Sequence, residues 1–160
     1  MTMSEMQHHP ENIAYEHDLL RFRNAYEWDL ELAIGEMSDS GCVVDGRWIW
    51  SVFPCLRGRF ARESRRLLSL DGPDETRRFL DDEFLGNGIR DAAKALLSTG
   101  RPVGEMFRYP GLAEQLHASL TLFSVVDGAS SVFGEALSEL FDAKQDMPTL
   151  KLLGQGTDIL

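Results

Sequence analysis

The sequence predicts an all-α fold, a compact single-domain bundle of about six to eight helices spanning residues 17–154. Three observations predict it. Apolar residues recur at three- and four-residue spacing through most of the chain, the period of one helix face. Glycine and proline clusters cut that pattern into separate stretches. One run alone, Arg47 to Leu56, has the aromatic and β-branched composition of a strand. A lone strand leaves its backbone groups unpaired. That run is therefore read as a short buried helix ending near Pro54.

The elements follow in order. Residues 1–16 are polar, carry Pro10 and show no period, so a flexible arm is expected there. A first helix is expected from Asp18, as its cap, to Met37. Phe22, Tyr26, Leu30, Ala33 and Met37 form its stripe, with Leu19, Trp28 and Ile34 widening or flanking it. Gly41 and Gly46 break the pattern before the tryptophan segment. Arg57 to Arg66 reads as helical, with Arg62 and Arg66 on one face and Phe60, Ser64, Leu67 and Leu68 on the other. Asp71-Gly72-Pro73-Asp74 is a turn and helix start with Asp74 as candidate cap, and Phe79 and Leu80 anchor that helix. Leu85, Ile89, Ala92 and Leu96 stripe the next helix, which Gly86 and Gly88 are expected to weaken, each by roughly 1 kcal/mol relative to Ala.

After a turn over Val103 to Phe107 comes the central helix, striped by Leu112, Leu116, Leu120 and Phe123 and flanked by Leu122 and Val125. Asp127-Gly128 stops it. Ser130 or Ser131 caps the following helix, whose stripe is Phe133, Leu137, Leu140 and Phe141. Pro148 opens a last short helix, and residues 155–160 are expected to form a C-terminal tail.

Composition narrows the function classes. Of 160 residues, 43% are apolar and 26% charged, as in ordinary globular domains. The formal net charge of −10 disfavours nucleic acid and anionic membranes, which need a positive surface. No apolar run reaches the ~18 residues of a membrane span. The amino terminus carries no apolar signal core, and a cytoplasmic location is expected. Cys42 and Cys55 form no C-x-x-C pair and no zinc-ligand spacing, and a disulfide between them would need an oxidising compartment. His8, His9 and His17 lie near Glu11 and Glu16, but a polar tail lacks the frame that metal ligands need. No metal and no cofactor is expected.

The remaining candidates are weaker than a catalytic motif. Trp48 and Trp50, two apart, point to different sides of a helix. Core packing is the preferred reading, with a cleft lined by one of them as the sharper one. Arg57 and Arg59 stand near Cys55 and would lower its pKa if they faced it, with His117 as the base. Glu114, His117, Thr121 and Ser124 share one face of the central helix, and the solvent face is the preferred reading of that stripe. Ser119 sits within the apolar stripe and is expected to bond back to the carbonyl four residues earlier.

These residues carry a resemblance. Trp48-Ile49-Trp50 with Phe53-Pro54 resembles the W-M-W-x-x-F-P of the family of unknown function DUF1810. Phe84-Leu85-Gly86 is similar to its P-x-L-G turn, and Ser119-Leu120-Thr121-Leu122-Phe123, with Met106-Phe107 upstream, to its S-M-T-L-F helix. Thr149-Leu150 resembles its closing T-L-x-L-L. The resemblance covers about residues 20–154 and implies an all-helical single domain. It implies no activity. Arg47 stands where the family usually has His, and Cys55 where it has Gln; Leu112 and Gln115 replace a family Asp and Lys. The shared positions are mostly those of packing, and the departures are at polar ones.

The functional expectation is a non-catalytic binding or interaction module with a cleft near Trp48 and Trp50. Its candidate ligand-binding residues are Arg47, Trp48, Trp50, Cys55, His117, Ser119 and Thr121. An anionic small molecule is the expected ligand, because arginine binds carboxylate or phosphate through its planar fork, with a protein partner as the other option. The alternative is a small hydrolase or transferase acting on a polar anionic metabolite through Cys55 or His117.

Overall fold

Of the first predicted stripe, Phe22, Tyr26, Ala33 and Met37 are at most 1% exposed and Leu30 is half-buried, along one face of a 21-residue helix, α1 (Leu20–Ser40). The computed structural model describes residues 19–40, 46–60 and 67–154. Eight helices and no strand occur among them. Asp18, the expected cap, lies outside the described residues. Trp28 does not widen the stripe as expected, since it is 81% exposed.

The tryptophan segment is a single-turn helix, α2 (Ile49–Val52), ended ahead of Pro54. Its continuation finds a backbone partner that the sequence did not reveal. Arg57 N donates to Leu70 O at 2.7 Å, and Leu70 N to Cys55 O at 2.8 Å, which makes one parallel bridge of Leu56 with Leu70. Residues 57–60 are turns, not the start of a helix, while Arg62, Ser64 and Arg66 lie outside the described residues. Leu67, expected on the face opposite Arg62 and Arg66, is 46% exposed.

Helix α3 (Pro73–Asp81) is preceded by Gly72, and Asp74 lies in its first turn rather than at the cap. Pro73 explains the shift, because a proline at the first helical position needs no hydrogen-bond acceptor. The first turn of α3 is tied to α1 by a buried ion pair, Arg21 with Glu75 at 2.6 Å. Arg21 also donates to the carbonyls of Leu67 and Ser69, and Glu75 accepts from Asp71 N, so the buried charges keep their hydrogen bonds.

Asp82 caps α4 (Glu83–Ser98), accepting from Leu85 N at 2.9 Å. The expected cost of its glycines is offset by what their missing side chains permit. A Cβ on Gly86 would lie 2.1 Å from Leu80 O, and one on Gly88 would lie 2.9 Å from Leu30 Cδ2. Close packing of α4 on the end of α3 requires Gly86, where backbone stands in the way, while Gly88 lets α4 approach the Leu30 and Tyr26 side chains of α1. The expected turn at Val103 is a short helix, α5 (Val103–Met106).

Helix α6 (Pro110–Asp127) is central, as its stripe predicted, with Leu116, Leu120, Leu122 and Phe123 fully buried. Gly128 stops it at φ 107°, a conformation that favours glycine. Ser131 caps α7 (Val132–Phe141), and Asp146 caps α8 (Met147–Leu152). Phe133 and Leu137 of the α7 stripe are buried, while Leu140 and Phe141 are half-buried.

The core is an aromatic chain crossing the bundle. Phe22 meets Phe79 edge-on at 5.2 Å, Phe79 meets Phe123 at 5.4 Å, and Phe123 meets Phe133 at 5.3 Å. Phe123 thus joins α3 to α7 through α6. Among the described residues, no helix is long and apolar enough to cross a membrane. Phe123→Ala removes an interior ring of this chain and should cost about 3–5 kcal/mol in chemical denaturation. A loss below about 1 kcal/mol would contradict the placement.

Candidate functional site

Trp48 and Trp50 diverge from α2 as their spacing requires. Trp48 is 2% exposed, and its Nε1 donates to Glu36 Oε1 at 3.2 Å. A buried indole N–H needs such a partner. Trp50 is half-buried and meets Phe60 edge-on at 5.8 Å. The Arg59 guanidinium lies 4.4 Å from the centre of the same Phe60 ring.

Arg59 then reaches across the fold. Its Nε donates to Asp146 Oδ2 at 2.7 Å and one terminal nitrogen to Asp146 Oδ1 at 3.0 Å, a two-pronged pair. The same nitrogen donates to Glu114 Oε1 at 3.1 Å. Asp146 also accepts from Thr149 N at 3.2 Å and Thr149 Oγ1 at 2.6 Å, so it caps α8 while it holds the arginine. Its own backbone N–H donates to Thr121 Oγ1 at 2.8 Å. Burial alone would raise the Asp146 carboxyl, but hydrogen bonds from Arg59 and Thr149 outweigh it and hold the group below its ordinary value. The Asp146 hydrogen bond likewise raises Arg59, which stays charged.

His117 lies beside this pair. Its Nε2 donates to Lys144 O at 2.8 Å, its ring stacks on Phe141 at 4.3 Å, and its Nδ1 is 4.0 Å from Asp146 Oδ1. Thr121 Oγ1 donates to His117 O at 2.9 Å. The expected solvent-facing stripe therefore divides. Glu114 is exposed and His117 half-buried, but Thr121 and Ser124 are buried. The Asp146 turn covers Thr121 and supplies the donor that makes its burial tolerable.

Cys55 is 4% exposed and donates from Sγ to Gln115 O at 3.4 Å. Burial pushes the thiol well above its ordinary pKa; Arg59 pulls it back in part, while Asp146 and Glu114 push it further up. The expected help from Arg57 is absent, because Arg57 bonds Ser69 and Asp71. Ser119 departs from its expected back-bond. It is fully buried, and its hydroxyl has no hydrogen-bond partner. The carbonyl four residues earlier, that of Gln115, accepts the Cys55 thiol instead. Gln115 Nε2 donates to Phe53 O at 2.8 Å, while its Oε1 has no partner.

Of the residues singled out from the sequence, Trp50, His117 and Thr121 are joined in one network through Phe60, Arg59 and Asp146. Trp48 and Cys55 are buried in the core, and Arg47 is exposed at the head of α2. Ser119 stands apart from the network. Asp146, Thr149 and Phe60 were not among the sequence candidates. One signal was available for Asp146, since Asp two residues before Pro148 and three before Thr149 is a helix-cap pattern. Among the described residues, no group of three or more His, Cys, Asp or Glu could hold a metal ion. Cys42, His8, His9 and His17 lie outside them.

Residues 16–153 match the profile of a family described as a protein of unknown function, DUF1810. The chain belongs to the DUF1810 family. The crystal structure of a conserved hypothetical protein from Mycobacterium tuberculosis is similar to this DUF1810 chain, with 26% sequence identity and a TM-score of 0.78. The match covers 86% of this chain and 96% of that one. No curated protein matches it.

In a Cys42→Ser variant, Cys55 is the one remaining thiol. It should react with a thiol reagent near pH 7 much more slowly than a free cysteine, because burial disfavours the thiolate. Faster labelling than a free thiol would overturn the placement of Cys55 as inert.

Proposed function

We propose that this DUF1810 protein is a non-catalytic binding module for an anionic ligand, taken up where Arg47, Trp50 and Phe60 meet the surface. The observation that carries it is the division of roles between the tryptophan segment and α6. Cys55, the candidate nucleophile, is buried with a raised pKa and bonded to a backbone carbonyl. His117, the candidate base, is turned to the Lys144 carbonyl. The half-exposed rings of Trp50 and Phe60 offer contact area instead, and Arg47 lies exposed at the head of the segment. Arg59 is held by Asp146 and Glu114, so it positions Phe60 rather than serving as the anion's clamp. Arginine recognises carboxylate and phosphate and cannot act as a general base near neutral pH. The ligand is therefore bound rather than turned over. A cytoplasmic setting suits the free Cys55 thiol, and the net charge of −10 argues against nucleic acid or an anionic membrane as the partner.

Calorimetric titration with inorganic phosphate and with citrate tests this reading. Arg47→Ala should weaken binding of the better anion by about tenfold, the value of one charge-assisted hydrogen bond. Cys55→Ser should leave it nearly unchanged. Equal affinity in the wild type and Arg47→Ala would overturn the reading, as would loss of binding in Cys55→Ser.

A further inference from the structure

A second surface, lined by none of Trp48, Trp50 and Arg59, carries a separate inference. An open groove of ≈ 540 Å³ runs between α1 and α4. Its volume lies in the range of ligand-sized sites. We propose that it docks a cationic segment of a partner protein through an apolar anchor side chain. This goes beyond the anion-binding reading and does not depend on it.

The floor is apolar and close to the backbone. Leu30 and Phe84 line it with Gly88, where a Cβ would collide with Leu30 and Tyr26. Phe84 is 42% exposed, and its ring meets Tyr26 edge-on at 6.1 Å. The aromatic ring is thus fixed by the core yet open to a partner. One wall is a polar ridge of α4. Glu83, Asn87 and Asp91 follow at four-residue spacing, so they share one face, and all three are exposed.

Charge decides the occupant. The lining holds one cation, Arg23, and its guanidinium is committed to Asp82 at 2.5 Å. Glu83 and Asp91 form no ion pair with another described residue. Their uncompensated charge lies beside an apolar floor, where a Lys or Arg flanking an apolar side chain would satisfy both features. A second copy of this chain is disfavoured, since it would bring like charges together on a protein of net charge −10.

The test uses the full-length isotope-labelled chain and three synthetic nonapeptides, alternating Lys–Leu, Glu–Leu and Lys–Ser. Lys–Leu should shift amide resonances around Leu30, Asn87 and Gly88. Glu–Leu and Lys–Ser should each bind at least tenfold more weakly, since each lacks one of the two features. Glu83→Gln combined with Asp91→Asn changes exposed residues and should weaken Lys–Leu at least fivefold. Unchanged amide resonances elsewhere confirm that the variant is folded. Shifts confined to another surface would overturn the proposal. So would equal binding of the three peptides, or unchanged affinity in the folded double variant.

Discussion

Asp146 joins three parts of the chain at one residue: the Arg59 turn, α6 and the start of α8. It takes both prongs of Arg59, caps α8 through Thr149, and presents its backbone N–H to Thr121 on α6. The Arg59 and Asp146 side chains are 10% and 6% exposed, so their charges have lost most of their water. Such a pair is tolerable only when the remaining hydrogen-bonding positions are filled. Here they are filled by Glu114, Thr149 and the arginine's own second prong. Removing either partner would leave the other charge largely desolvated, with consequences at all three segments.

Trp50 and Phe60 depend on that joint. Arg59 carries Phe60 against Trp50, and the backbone around Cys55 is fixed from behind by the bridge to Leu70 and by Gln115. A second buried pair, Arg21 with Glu75, anchors the Leu67–Asp71 stretch to α1. The tryptophan segment is thus held on one side by α6 and α8 and on the other by the loop that α1 restrains. Preorganisation of this kind lowers the ordering cost of binding a ligand.

Periodicity made the core legible. The stripes of α1, α4 and α6, the stop at Gly128 and the Ser131 cap are all local patterns, set within a few residues of one another. The site is not local. Arg59 and Asp146 are 87 positions apart, and Asp146 and Thr121 are 25 apart. A threonine on the polar side of a helix has the same spacing whether it faces water or a turn from elsewhere in the chain. Spacing alone therefore puts Thr121 on the solvent side and gives no sign that Asp146 covers it. Ser119 failed differently, since an expected local back-bond was not made although nothing in its spacing argued against it. Gly86 and Gly88 are legible as residues that weaken a helix in isolation, but the neighbours that crowd them belong to α3 and α1. The family resemblance located the tryptophan segment, because its motif is short and contiguous, and it carried no information on the partners that the segment meets in space.

A double-mutant cycle on Arg59→Gln and Asp146→Asn, read by chemical denaturation at pH 7, tests the central claim most directly. If the pair is the joint described here, each single variant loses stability and the two losses fail to add. The coupling should then fall at about 1–3 kcal/mol, within the range for residues in one ion-pair network. Additivity to within about 0.3 kcal/mol would contradict the account and reduce the pair to an ordinary surface contact.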